Sequence, residues 1–232
     1  MSLPYFYVPS FDKDHPEMDL DEDNSRHIVQ VLRMEPGEDL CLTDGKGTLA
    51  AASIVEAHKK KCRIAVRSVQ LLPPPERKVS IAISPLKNSS RFEWFLEKAT
   101  EIGVNEIIPL MADRTERQHL RFDRLHHILI SALLQSQQAW LPVLRPSTLF
   151  PQLLDAPGFD RRLIAWMEDR PTNVYPRPQA GSTLMLIGPE GDFTQEEAAS
   201  ALGKHFVPVT LGKNRLRTET AGVVAATLLC IG

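Results

Sequence analysis

Three consecutive prolines, Pro73-Pro74-Pro75, interrupt the chain about a third of the way along its 232 residues. Each removes a backbone donor and fixes φ, so neither a helix nor a sheet ladder is expected to run through them. Such a stretch adopts an extended polyproline conformation and acts as a short semi-rigid spacer. The sequence therefore predicts two domains, residues 1–72 and 77–232, joined by a linker at 73–76. Both lengths suffice for an independent core.

The two halves differ in rhythm. Before the prolines, Tyr5-Phe6-Tyr7-Val8 is a short β-prone run, and Asp23–Arg33 reads as a capped amphipathic helix carrying Ile28, Val29, Val31 and Leu32. Strands are expected at Asp39–Thr43, Thr48–Glu56 and Cys62–Val69, with a tight turn at Asp44-Gly45-Lys46-Gly47. Short strands and tight turns suggest a small β-barrel. After the prolines, strands at Val79–Ser84, Val104–Met111, Leu163–Met167, Thr183–Ile187 and Phe206–Leu211 alternate with helices. The helices are Ser89–Gly103, with Phe92, Phe95, Leu96, Ala99 and Ile102 on one stripe, Arg121–Trp140, a third opening at the capping box Thr194–Glu197, and Leu216–Cys230. Alternating strands and helices predict an α/β domain with a largely parallel sheet.

Composition narrows the function classes. Hydrophobic residues at 43% and charged residues at 24% are globular values. No window approaches the ~18 apolar residues of a membrane helix, and no leader pattern opens the chain, so a cytoplasmic protein is expected. Cys41, Cys62 and Cys230 are isolated, which predicts reduced thiols and no metal site. Dinucleotide, P-loop, nucleophile-elbow and zinc-protease motifs are absent.

The formal charge of −2 is unevenly spread. Asp12–Asp23 holds seven acids and one base, Lys13, whereas residues 24–67 carry eight Lys and Arg against five acids. Phosphates respond to the field within a Debye length of ~8–10 Å rather than to the total. The charge therefore excludes a uniformly basic coat and leaves room for an RNA-facing patch.

Two segments repeat one scheme. Leu184–Thr194 is a buried strand entering a Gly188-Pro-Glu-Gly191 loop and a capped helix, and Val209–Ala221 again runs from a strand through a glycine loop into a helix. Ligands of open α/β sheets bind beyond the carboxyl ends of strands, and glycines let backbone amides approach them. Tight turns alone would also use these glycines; two such loops, on strands expected to be neighbours, favour a site. Lys213, Arg215 and Arg217 crowd the start of the last helix, where the macrodipole disfavours cations. An anionic or electron-rich substrate would account for them.

Leu186-Ile-Gly-Pro-Glu-Gly191 with Phe193, and Leu211-Gly212 with Leu216-Arg-Thr-Glu-Thr-Ala221, resemble the bacterial small-subunit (16S) ribosomal RNA uridine-N3 methyltransferases of the SPOUT superfamily. Arg26-His27-Ile28, Val31-Leu32-Arg33, Lys87, Phe92-Glu93-Trp94 and Glu97–Leu110 extend the resemblance over nearly the whole chain. It implies an N-terminal PUA-like β-barrel that holds RNA and a C-terminal SPOUT α/β domain with a deep trefoil knot. Chain physics alone would have suggested an unknotted sheet. It further implies a cytoplasmic homodimer using S-adenosyl-L-methionine on small-subunit ribosomal RNA or the assembled subunit.

By the same resemblance, Leu186, Ile187, Gly188, Pro189, Glu190, Gly191, Leu211, Gly212, Asn214, Leu216, Arg217 and Thr218 would line the cofactor. Arg26, His27, Arg33, Lys87, Arg91 and Arg215 would face RNA. Uridine N3 is protonated at neutral pH, so transfer needs a base, Glu219 or alternatively Glu190, and a cation, Arg217, for the developing imidate. Two departures from the family pattern stand out. Asp192 occupies the place of a second glycine, and Gln135-Ser136 is followed by Gln137-Gln138 without the usual arginine. Another RNA target, at a ribose 2′-OH or in transfer RNA, and a non-catalytic RNA-binding role are the competing readings.

Overall fold

The computed structural model describes residues 3–10, 16–116, 119–166 and 175–231. They form two compact units, Met1–Pro74 with Leu133–Leu141, and Pro75–Ala132 with Pro142–Gly232.

The first unit contains β1 (Tyr5–Tyr7), β2 (Glu17–Asp19), α1 (Glu22–Arg26), a π-helical turn (His27–Val31), β3 (Asp39–Thr43), β4 (Thr48–Glu56) and β5 (Arg63–Leu71). Its sheet has the order β1-β3-β4-β5-β2. β3, β4 and β5 form an antiparallel meander, β1 adds parallel to β3, and β2 adds antiparallel to β5. Phe6, Ile28, Leu40, Leu42, Ala50, Ile54 and Ile64 fill the interior. The hydroxyl of buried Ser25 accepts from Cys62 N at 2.8 Å and donates to Leu20 O at 3.2 Å, fixing α1 over the sheet.

Three local expectations need correction here. The helix starts earlier than expected, because Asp21 accepts from Asn24 N at 2.8 Å and caps it. It then widens into the π-helical turn, and the chain reverses at Arg33, whose φ is +55°. β2 lies inside the acidic run, its central Met18 flanked by Glu17 and Asp19, and no strand signal shows. Its Asp19 pairs with Lys61 at 2.9 Å and Arg63 at 3.0 Å, and these cations hold its carboxyl below the usual range. Arg67 pairs with Asp39, and Arg26 with Glu22. Half of the eight cations of residues 24–67 therefore face acids. Asp12, Lys13 and Asp14 lie outside the described residues, as does Met167.

The second unit contains β6 (Arg77–Ile83), α2 (Ser89–Ile102), β7 (Glu106–Met111), α3 (Phe122–Gln135), β8 (Val143–Leu144), β9 (Thr148–Leu149), α4 (Phe150–Leu154), β10 (Arg161–Ala165), β11 (Gly181–Ile187), α5 (Gln195–Gly203), β12 (Val207–Val209) and α6 (Thr218–Cys230). Its sheet is parallel throughout, in the order β12-β10-β11-β6-β7-β8, with β9 continuing beside β7. β8, β9 and α4 were not foreseen, since two-residue strands split by Pro146 carry too little pattern to read. On one face of the sheet, Ala82, Ile108, Leu110, Ile164, Leu184 and Leu186 pack against Phe150 and Leu153 of α4 and Ala201 of α5. On the other lie α2 and α6, brought close by Gly222, whose added Cβ would stand 2.6 Å from the Phe95 ring and 2.8 Å from Ile83 Cδ1.

The helix expected over Arg121–Trp140 ends at Gln135. Gln137 takes the left-handed conformation at φ +55°. Its amide donates to Leu134 O and that of Gln138 to Leu133 O, at 3.2 and 3.1 Å. This closes a Schellman cap without the glycine that usually announces one. Trp140 then pairs with Lys46 as an antiparallel bridge. Gly47, at φ +94°, faces the Trp140 ring so closely that a Cβ would sit 2.4 Å away.

Gly222→Ala should destabilise the second unit by up to about 2 kcal/mol, the overpacking cost of about 1–3 kcal/mol less the ~1 kcal/mol gain in helix propensity. Gly203→Ala, with nothing within 4 Å of its added Cβ, should be neutral or stabilising. Urea denaturation of both variants checks the contrast.

Candidate active site

A cavity of about 410 Å³ opens at the carboxyl end of β10, within the usual size range of small-molecule sites. Ala165 and Trp166, at the end of β10, contribute to its lining. One wall is the loop that follows β11, and the other is the loop between β12 and α6. The strands carrying these loops are not neighbours, contrary to expectation: β10 lies between them. All three run parallel, so both loops emerge at the same end, and the width of one strand separates them.

The first loop is braced from several sides. Gly188 is tightly enclosed, since a Cβ there would meet the Phe193 ring at 3.1 Å. Asp192 N donates to Pro189 O at 2.9 Å, closing a turn in which Asp192 adopts φ +63°. Arg114, from the segment after β7, donates through Nη1 to Gly191 O at 2.7 Å. Buried Glu197 accepts from Asp113 N and Thr194 N, each at 2.9 Å, and so joins that segment to the start of α5. Glu190 Oε1 accepts from Lys87 N at 3.2 Å. Burial pushes the Asp192 carboxyl up, while the Phe193 amide, Arg215 and Arg114 work in the opposite direction.

The second loop is tied by Thr210 Oγ1, which donates to Gly212 O at 3.0 Å. Arg217 is the N-cap of α6, with φ −72° and ψ 155° and no side-chain cap. Its exposed guanidinium makes no ion pair among the described residues. Glu219, in the first turn, is different: its side chain is only 9% exposed. Its Oε1 lies 3.7 Å from Arg91 Nε, and its buried Oε2 has no hydrogen-bond partner among the described residues. A buried carboxylate oxygen without a partner carries a desolvation cost. In a cavity wall it is an acceptor available to a ligand.

Of the residues expected to hold the cofactor, all line this cavity except Leu186, which is fully buried in the core, and Gly191, whose carbonyl is held by Arg114; Lys213 lies outside the lining. Arg91 and Arg215, expected to face RNA, also line it. Lys87 lies outside the lining and pairs with Glu116 at 3.0 Å. Arg26, His27 and Arg33 belong to the first unit, where His27 meets the Phe6 ring edge-on. Sequence reasoning missed Ala165, Trp166 and Arg114; the strand end at Ala165-Trp166 was the available signal for the first two. Gln138, in the stretch that lacks the family's usual arginine, donates its side-chain amide to Ser136 Oγ in the turn after α3. Among the described residues, no group of three His, Cys, Asp or Glu could hold a metal ion.

The RNA methyltransferase domain family matches residues 73–230, and the RNA methyltransferase PUA domain matches residues 20–67. A ribosomal RNA small subunit methyltransferase E from Neisseria gonorrhoeae, solved bound to S-adenosyl methionine, aligns with a TM-score of 0.86 and 30% identity over 97% of this chain and 96% of its own. The chain belongs to the ribosomal RNA small subunit methyltransferase E family. A probable rRNA-methyltransferase from Porphyromonas gingivalis is 40% identical, with a TM-score of 0.87 over 97% of this chain and 96% of that one. The Mycobacterium bovis ribosomal RNA small subunit methyltransferase E is 29% identical over 95% of this chain and 88% of its own length. Membership accounts for the architecture, a small N-terminal PUA-like domain and a C-terminal α/β domain with a parallel sheet.

Arg114→Ala should loosen the loop after β11 without unfolding the sheet. Loss of one charge-assisted hydrogen bond predicts amide exchange about tenfold faster at 188–193. Exchange in β11 itself should stay unchanged, as measured by hydrogen–deuterium exchange mass spectrometry.

Proposed function

We propose that this chain uses S-adenosyl-L-methionine to methylate N3 of a uridine in small-subunit (16S) ribosomal RNA. The observation that carries the reading is Glu219, a nine-tenths-buried carboxylate with an unpartnered Oε2 in the wall of the cavity that the two loops enclose. The cavity suits the cofactor: tightly enclosed Gly188 leaves backbone open to a ligand, apolar Ile187, Leu211 and Leu216 suit a flat base, and charged groups of both signs suit a zwitterion. When bound, the cofactor supplies an electrophilic methyl group, so the protein has only to orient it and activate the acceptor.

The residues then divide the work. Backbone groups of Gly188, Pro189, Leu211, Gly212 and Thr218 hold the cofactor, and Asn214 and Glu190 supply polar contacts. Glu219 Oε2 accepts the N3 proton, and Arg91 beside Oε1 offsets the charge of the carboxylate before that transfer. Arg217, fixed at the N-cap of α6 and unpaired, stabilises the negative charge developing on the uracil ring. Arg26, His27, Arg33, Lys87 and Arg215 position the RNA.

The remaining features follow from the same reading. Residues 1–72, completed by 133–141, hold RNA as a PUA-like barrel, 73–76 form the linker, and the rest of 77–232 forms the catalytic SPOUT domain. The match of an RNA methyltransferase PUA domain to residues 20–67 supports that division. The trefoil knot is part of the same proposal; the passage of the chain from β11 past β10 to β12 supports it. The protein works as a homodimer in the cytoplasm.

Purified protein and S-adenosyl-L-methionine should methylate small subunits from a methylation-deficient strain, with N3-methyluridine as the product by nucleoside mass spectrometry. A ribose-methylated nucleoside, or a modified transfer RNA instead, would replace the uridine-N3 assignment. Arg217→Ala should keep the fold while lowering kcat about 10²–10³-fold at saturating cofactor. Glu219→Gln should lower kcat about 10²–10⁴-fold, in single-turnover assays with saturating cofactor.

A further inference from the structure

Asp192 occupies a position built for glycine. Its φ of +63° is one that L-residues adopt at a steric cost and glycine adopts freely. A charged residue kept in such a conformation at a cavity wall calls for a functional reason. Its carboxylate is held in place, because Oδ1 accepts from Phe193 N at 2.8 Å. It makes no ion pair among the described residues, although Arg215 and Arg114 act on it through space.

The charges lining the cavity give that reason. They are Arg91, Arg215 and Arg217 against Glu190, Asp192 and Glu219. The wall is neutral only because Asp192 is present; a glycine there would leave it positive. Resting on the cofactor reading above, we propose that Asp192 lets this protein discriminate S-adenosylmethionine from its demethylated product by charge. S-adenosylmethionine carries a sulfonium, an ammonium and a carboxylate, and so has a net positive charge. Loss of the methyl leaves a neutral thioether, and the product carries no net charge. With Asp192 the wall no longer repels the positively charged cofactor as a net-positive wall would, whereas the uncharged product is indifferent to the change. The residue is half-buried, so water screens it less than it would a surface carboxylate. The consequence is product release: the contribution of Asp192 to holding the ligand ends when the sulfonium charge is lost with the methyl.

Calorimetric titration of the full chain with S-adenosylmethionine and with S-adenosylhomocysteine tests this, in the parent, Asp192→Asn and Asp192→Gly. Asparagine tolerates the left-handed conformation and keeps an acceptor for Phe193 N, and glycine removes the steric cost, so neither variant is expected to lose its fold. Both should bind S-adenosylmethionine about five- to tenfold more weakly while S-adenosylhomocysteine affinity changes less than twofold. An analogue with an amine in place of the sulfonium should follow S-adenosylmethionine. An equal loss for both ligands, or an unchanged ratio, would overturn the assignment of Asp192 and leave the cofactor reading intact. A parent that binds neither ligand would overturn both.

Discussion

The site depends on one arrangement of hydrogen-bonded strands. β10 is paired in parallel on both sides, with β11 along Arg161–Ile164 and with β12 along Leu163–Ala165. Parallel pairing brings all three carboxyl ends to one edge of the sheet, and the insertion of β10 sets the spacing between the two loops. Had β11 and β12 been neighbours, the loops would have met and left no cavity between them. Trp166 takes its place in the lining because it is the first residue after β10.

Much of this was legible in the chain, for identifiable reasons. The core helices and strands of the second unit carry strong periodicity or unbroken apolar runs, as in Thr183–Ile187, and they form where the pattern places them. The two glycine loops could be read because turn chemistry is local. The separation of their strands could not, because pairing between β10 and β12 joins segments more than forty residues apart with no local trace. The end of α3 was hidden for a similar reason: Gln137 adopts a conformation that its residue type does not advertise. β2 was hidden by its charges, which are satisfied across the sheet by Lys61 and Arg63.

Electrostatics divides the two units in an instructive way. In the first, cations that looked like a free basic patch are partly committed to Asp19, Asp39 and Glu22, all exposed pairs of small energetic weight. In the cavity of the second unit, among the described residues, Arg217 stays unpaired, Arg91 stands beside a buried acid without closing a tight contact, and a carboxylate oxygen has no partner. The buried carboxylate oxygen that lacks a partner among the described residues belongs to the wall of the cavity, where a ligand could satisfy it.

The contact of Trp140 with Gly47 bears on how the protein can be divided. The proline run looks like a natural place to cut, since no helix or strand passes through it. Yet Gly47 N donates to Ala139 O and Leu141 N donates to Gly45 O, both at 2.9 Å. Residues 133–141 therefore complete the first unit from beyond the prolines. A fragment ending at residue 74 would lack the indole that covers its Gly45–Gly47 turn and would expose those backbone groups to water. The first unit is assembled from two stretches of chain, and its final piece is made only after most of α3.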